Sequence, residues 1–534
     1  MAYLFVTGID TDGKVLGRDD SLTVTTSGAI TVEAETGNGI FSTALAARAA
    51  IFGDVAAGGD GVHLEASEST VFVGQSGKVT GGKVGVLLGS VAAREVSLQN
   101  DGTIMGQIGG VRLEGTFLDF VNTGTVSVPM GNVGMGLAAV TLASNTLSYL
   151  TNTGTISAGL FSDHHKAVVG GAGVDIIYNK GVIRGRIDLG AGNDRYYGQE
   201  GFCEGGSISL GTGQNMAYGG RGAELFRLVQ EGDRLDDFVD GGAGVDGLTI
   251  LDGDINVRVD LRVTVRQETG VGGLTLQNVE NLFTGDGWDQ VTGNAENNFI
   301  STGSGNDTLE GGLGDDDLRG GDGNDTAIFS GSTRATVDLR LQGQPQNTGH
   351  GFDTLIGIEN LVGGAGDDVF SGDHAANLLA GSGGDDILVG GDGDDTLDGG
   401  AGADTAVFSS ATANYQITPN ADGSVRVAGP DGTDVVRNVR FLQFADGVTV
   451  LTNAAPAALG LSATGIVENA PRGSVVGGCG RRWCWAPSGG ARGGGGRDIA
   501  VSFPTLSRLC ERWNRPSARP SALRASFGPP RVFG

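Results

Sequence analysis

The chain has 534 residues, too many for one hydrophobic core, so more than one folded unit is expected. Against 35 Lys and Arg stand 62 Asp and Glu, a net charge of -27, which excludes a nucleic-acid partner and makes cations the natural one. Glycine reaches 99 residues, yet 39% of the chain is hydrophobic and spread through the glycine-rich parts, which excludes a disordered linker.

At the amino terminus, Met1 to Leu22, no basic stretch precedes an apolar run. No window reaches the ~18 apolar residues that span a bilayer, so neither an amino-terminal signal nor a transmembrane segment is expected. Residues 1–165 carry a loose recurrence, Asn-x-Gly-x-Ile/Val, at Asn100, Asn122, Asn152 and, just beyond, Asn179, with Ser-Gly variants at Ser27 and Ser76. Asn and Gly tolerate the left-handed backbone of turns, and the β-branched residues that follow suit a buried strand. Each copy therefore reads as one rung of a parallel β-helix, with an antiparallel sandwich as the competing reading.

Residues 166–283 read as degenerate repeats and a β connector. Their turns are Gly170-Gly171-Ala172-Gly173-Val174-Asp175, Leu189-Gly190-Ala191-Gly192-Asn193-Asp194 and Gly241-Gly242-Ala243-Gly244-Val245-Asp246. Two blocks follow, 284–328 and 363–408, each holding five consecutive nonapeptides of the pattern G-G-x-G-x-D-x-U-x. The clearest is Gly311-Gly312-Leu313-Gly314-Asp315-Asp316-Asp317-Leu318-Arg319. The eighth position holds Val291, Ile300, Leu309, Leu318 and Ala327, then Phe370, Leu379, Leu388, Leu397 and Ala406, all apolar. Chance would give that roughly once in ten thousand trials, so the spacing is structural.

The sixth position holds Asp289, Asn298, Asp307, Asp316 and Asp325, then Asp368, Asn377, Asp386, Asp395 and Asp404. Both blocks place asparagine in the second copy, and Asp246, Asp325 and Asp404 are successive equivalents, so a larger unit with a period of 79 residues is duplicated. A β-prone connector, 329–362, separates the blocks, and a strand-rich cap, 409–455, follows them. Cys203 stands alone in the body of the chain, so no disulfide framework is expected.

A nonapeptide makes half a turn of a flattened solenoid. Six residues reverse the chain, three extend as a strand, and the eighth side chain points inward between two strand layers. Stacked rungs ~4.8 Å apart align the sixth-position carboxylates in columns, where adjacent charges would repel by about 3 kcal/mol at an effective dielectric near 20. Between Gly363 and Val407 there are ten aspartates and no Lys or Arg, so a bound metal must neutralise them. Hard oxygens at flexible spacing suit calcium, and the thin leucine core couples its binding to folding. The candidate ligands are Asp175, Asp194, Asp246, Asp289, Asp307, Asp316, Asp325, Asp368, Asp386, Asp395 and Asp404.

These nonapeptides resemble the RTX, or hemolysin-type calcium-binding, repeats of bacterial exported proteins, over roughly residues 170–450. The resemblance implies an all-β chain with a parallel β-roll and several calcium ions between its turns. It also implies one-step export by the type I secretion machinery and folding outside the cell, as a secreted or cell-surface protein. Residues 456–477, through Ile466-Val467-Glu468-Asn469-Ala470-Pro471, resemble the opening strand of a cadherin-like domain, which begins near Leu461. From 478 to 534 the composition changes abruptly, with three of the four Trp and three of the four Cys, and the segment reads as an out-of-frame, disordered tail. That tail puts the family's usual carboxyl-terminal export signal in doubt for this chain.

No His-Glu-x-x-His and no Gly-x-Ser-x-Gly occurs, which argues against zinc-protease and lipase chemistry. His164 and His165 after Asp163 form a polar pair that reads as solvated, and His374 sits in a turn. Two readings remain: a calcium-bound structural or adhesin-like protein, with extracellular polysaccharide as a possible partner, and a β-helix polysaccharide lyase or epimerase that carries these modules.

Overall fold

The computed structural model describes residues 2–32, 37–129, 138–159, 165–228, 236–250, 253–451, 478–479 and 482–483. Two units divide the chain, Met1–Asn453 and Ala454–Gly534. Of the second, only an antiparallel pairing of Gly478–Cys479 with Arg482–Trp483 is described. The cadherin-like segment, the rest of the tail, Asp163 and His164 lie outside the described residues.

Strands in the first part of the chain are short, and their side chains alternate between buried and half-buried, as in Ser69–Val73. Such strands satisfy their backbone groups only by stacking on the next turn of the chain. Three parallel ladders result. The first runs from Tyr3–Val6 through Ser21–Val24 and Arg48–Ile51 to Ser69–Val73, and the second from Lys14–Val15 through Ile40–Ser42 to Val62–Leu64. The third runs from Ile9–Asp10 and Ala29–Val32 to Phe202–Glu204. Gly109–Asn122 and Val140–Asn152 are long enough to pass through the first two faces, with a register shift after Gly115. The antiparallel alternative is thereby replaced by a three-faced parallel β-helix.

The Asn-x-Gly recurrence marks its rungs, for a reason other than turn conformation. None of Asn100, Asn122, Asn152 and Asn179 has a positive φ. All four are buried in register, and each amide donates to the next: Asn100 Nδ2 to Asn122 Oδ1 at 2.7 Å, Asn122 to Asn152 at 2.8 Å, and Asn152 to Asn179 at 2.9 Å. The β-branched residues that follow, Ile104, Val126, Ile156 and Ile183, stack as a buried column on the third face. Asn122→Ala removes the donor to Asn152 Oδ1 and is expected to cost about 1–3 kcal/mol, the price of a stranded buried acceptor, read as a lower urea midpoint in saturating calcium.

After Phe202–Glu204 the third ladder ends and the solenoid continues with two. The rungs shorten to eighteen residues in the blocks, where Val291 pairs with Leu309 and Leu309 with Ala327. Ile300 pairs with Leu318 on the opposite layer. Every eighth-position residue is at most 1% exposed, so the two strand layers meet on a single file of apolar side chains. The connectors are excursions from this roll. Both use the same device, in which the N–H of Asp260 or Asp338 donates to the Oε1 of Gln267 or Gln346, at 2.9 and 2.8 Å.

Each terminal ladder finishes in an antiparallel hairpin. Val425–Gly429 folds back on Gly432–Arg437, and Phe441–Phe444 on Gly447–Val450. Phe408, Tyr415 and Phe444 pack with ring centroids 5.2–5.4 Å apart beneath them. The described residues contain only two helical turns, Leu339–Leu341 and Thr412–Asn414, and no helix long and apolar enough to cross a membrane. The architecture is all-β and solenoidal, as the repeats required.

Candidate metal centre

In residues 311–319, Gly312 and Gly314 take φ values of 108° and 115°, a region that other residues rarely adopt, and so turn the chain sharply. Gly311 serves another purpose, because a Cβ there would lie 2.1 Å from Asp316 Oδ2, and the glycine makes room for the carboxylate. Asp317–Arg319 then extends into the ladder and buries Leu318. The turn therefore folds the Asp316 carboxylate back over its own glycine, inside the stack rather than out into water.

All eleven expected aspartates are buried, none more than 3% exposed. One carboxylate oxygen of most of them accepts a backbone N–H from the neighbouring rung. The N–H of Asp289 reaches Asp307 Oδ1 at 2.8 Å, and that of Asp307 reaches Asp325 Oδ1 at 2.8 Å. The N–H of Asp368 reaches Asp386 Oδ1 at 2.7 Å, and that of Asp386 reaches Asp404 Oδ1 at 2.9 Å. The outlying turns follow the same rule, with the Asp175 N–H on Asp194 Oδ1 at 2.7 Å and the Glu224 N–H on Asp246 Oδ1 at 2.7 Å. The columns are thus interleaved with amide dipoles, and the expected picture of bare carboxylates repelling one another needs correction.

Burial is the larger burden. It is the leading cause that raises Asp289, Asp325, Asp386 and Asp395 to about 6, Asp246 and Asp316 to about 7, and Asp194 to about 8. Neighbouring carboxylates add to it at several positions, as Asp368 and Asp404 do at Asp386. Asp307, Asp368 and Asp404 shift upward for the same leading reason.

In nine of the eleven the other oxygen has no partner. Asp175 Oδ1 and the Oδ2 atoms of Asp194, Asp246, Asp289, Asp307, Asp325, Asp386, Asp395 and Asp404 are buried without a hydrogen bond. Among the described residues every carboxylate oxygen stranded in this way belongs to one of the eleven aspartates. A buried charge without a partner costs several kcal/mol, so nine such atoms in register call for a counter-ion. Among the described residues no three His, Cys, Asp or Glu side chains converge on one point. An ion here would draw on one or two carboxylates and on turn carbonyls, a donor set that suits a hard cation with six to eight oxygen ligands.

The columns also contain acids that repeat spacing does not reveal. The N–H of Asp246 donates to Glu280 Oε2 and that of Asp325 to Glu359 Oε2, both at 2.7 Å. The N–H groups of Asp316 and Asp395 donate to Asp353 Oδ1 and Asp434 Oδ1, both at 3.0 Å. Connector insertions put these acids 34 to 39 residues beyond their donors, out of the nonapeptide phase. The available signal was the 79-residue period, which relates Glu280 to Glu359.

Among the described residues His350 bears on the columns electrostatically, opposing the upward shift of Asp353 and Asp368. His374 is exposed against Asp392 at 2.8 Å, and both ring nitrogens of His63 face carboxylates, Asp60 at 2.9 Å and Glu65 at 3.1 Å.

The RTX calcium-binding nonapeptide repeat family matches four segments of the chain, 281–300, 292–327, 353–381 and 375–406. These take in eight of the eleven aspartates, from Asp289 to Asp404, while Asp175, Asp194 and Asp246 lie upstream of every match. No curated protein matches the chain. The stacked turns, the stranded oxygens and the matched segments agree: within residues 281–406 the chain carries RTX-type calcium-binding nonapeptide repeats, built as a parallel β-roll.

Proposed function

We propose that the eleven aspartates are the calcium ligands and that the protein is exported and completes its β-roll outside the cell. There it would act as a structural or adhesin-like surface protein. The observation that carries this reading is the register of stranded carboxylate oxygens, which continues through Asp175, Asp194 and Asp246 beyond the matched repeats. Where calcium is scarce the buried charges oppose folding of the roll. Extracellular calcium modules commonly bind in the 10⁻⁴–10⁻³ M range, so the external medium would supply the missing partner.

The N-terminal β-helix has its own apolar column and asparagine ladder, so it depends less on the ion. Hydrogen exchange read by mass spectrometry tests the division. Peptides from 284–408 are expected to be protected in millimolar calcium and to exchange freely in chelator, while peptides from 69–127 stay protected in both. Equal protection of 284–408 with and without calcium would reject coupled folding.

The three-faced β-helix gives the lyase or epimerase reading its one support. Against it, His63 has both nitrogens engaged, and the acids that are buried in register serve the columns. Incubating the calcium-loaded chain with acidic polysaccharides decides between the two. Unsaturated-product absorbance, or a changed uronate epimer ratio, would overturn the structural reading.

A further inference from the structure

Asn298 and Asn377 occupy the sixth position of their nonapeptides, are each 3% exposed, and leave no atom stranded. Their backbones behave as the aspartates' do, donating to Asp316 Oδ1 at 2.8 Å and Asp395 Oδ1 at 2.9 Å. Their side-chain Oδ1 atoms accept the N–H four residues earlier, from Asn294 and Asp373, both at 2.8 Å. Asp175 makes the equivalent bond from the Gly171 N–H at 2.7 Å, and its other oxygen is stranded. In the asparagines that other atom is a nitrogen. It donates to the carbonyl of Glu280 at 2.7 Å and of Glu359 at 2.8 Å.

The rung beneath explains why a donor is needed there. The N–H groups of Glu280 and Glu359 are already given to the carbonyls of Asp246 and Asp325, at 3.0 and 3.1 Å, so each glutamate turns its carbonyl oxygen toward the next rung. A carboxylate above it would bring two oxygens to hydrogen-bond distance with no proton between them. Either an amide nitrogen or a cation resolves that contact, and the chain supplies the amide at both of the places related by the 79-residue period. The same economy appears at Asp353, where the Thr348 hydroxyl donates to Oδ2.

We propose that the Glu280/Asn298 and Glu359/Asn377 contacts are metal-free seams, in which an amide N–H takes the place that calcium holds elsewhere in the roll. This rests on the calcium reading above and sharpens it. The ions form separate runs, each bounded by a rung that closes without one, and the number bound is smaller than the number of nonapeptides.

The test is to convert the seams into ion sites in the full chain with Asn298→Asp and Asn377→Asp, singly and together. Bound calcium is counted by equilibrium dialysis, and folding is followed by circular dichroism. Each substitution is expected to add one ion at saturation and to shift the calcium midpoint of folding upward. The control Asn298→Ala adds none. An unchanged ion count in a folded variant, or a variant that stays unfolded at every calcium concentration, overturns the seam proposal. Absence of calcium binding by the unsubstituted chain would instead remove the reading on which it rests.

Discussion

Replacing Asp386, Asp395 and Asp404 together by Asn is expected to raise the calcium midpoint of folding at least about tenfold, while the chelated variant retains more β-structure than the unsubstituted chain. Both halves follow from the two unequal oxygens of each carboxylate. Oδ1 accepts the N–H of Asp368, Asn377 and Asp386 in turn, and an amide oxygen preserves those bonds. Oδ2 is the stranded atom, and replacing it with a neutral nitrogen removes three buried charges together with three proposed calcium ligands. An ion at about one hundred times its dissociation constant stabilises the fold by about 2.7 kcal/mol, so the loss is large in calcium and absent in chelator. Alanine separates the two contributions. Asp386→Ala, Asp395→Ala and Asp404→Ala also strand the three N–H groups, so that variant should be less stable than the Asn variant in both media. Parallel calcium titrations by far-ultraviolet circular dichroism measure all three chains. An Asn variant that binds calcium with the unsubstituted midpoint would show that Oδ2 is not a ligand.

Much of the roll was legible because the nonapeptide carries its own register. One apolar side chain in nine at the eighth position can only be buried if alternate repeats fall in opposite strand layers, and Val291, Leu309 and Ala327 do so, with Ile300 and Leu318 facing them. The aspartates were legible for the same reason. What escaped was everything that depends on the neighbouring rung. Glu280, Glu359, Asp353 and Asp434 belong to the columns, but connectors of variable length remove them from the period. The interleaving of carboxylates with N–H groups is likewise a contact between residues 18 apart, and it moved the main electrostatic burden from mutual repulsion to burial. Asparagine was read incompletely twice. In the N-terminal helix its recurrence suggested turns and proved to be a buried amide ladder. In the blocks it served only to mark the duplicated 79-residue unit, although its nitrogen makes a bond that no aspartate can.

Acidification should fold the metal-free roll. Asp289, Asp325, Asp386 and Asp395 have folded-state values of about 6, Asp246 and Asp316 of about 7, and Asp194 of about 8, against an ordinary value of 3.8 for an aspartate in the unfolded chain. A carboxyl whose value is raised on folding binds its proton more tightly in the folded state, so the fold gains stability as pH falls. The window opens near 8, where Asp194 begins to protonate, and closes near 3.8, below which both states are neutral. Above the window the carboxylates are charged in both states and the burial penalty is borne in full, which is where calcium matters most. In chelator the chain should therefore show more β-structure and more protease resistance at about pH 5 than at about pH 8. At the lower pH added calcium should change it less, because each ion must now displace protons from the oxygens it binds. A chelated chain that is less structured in acid than at the higher pH would contradict the burial of these carboxyls. A chain equally structured at both would mean that the stranded oxygens are solvated, and with them the reason for calcium in the roll would go.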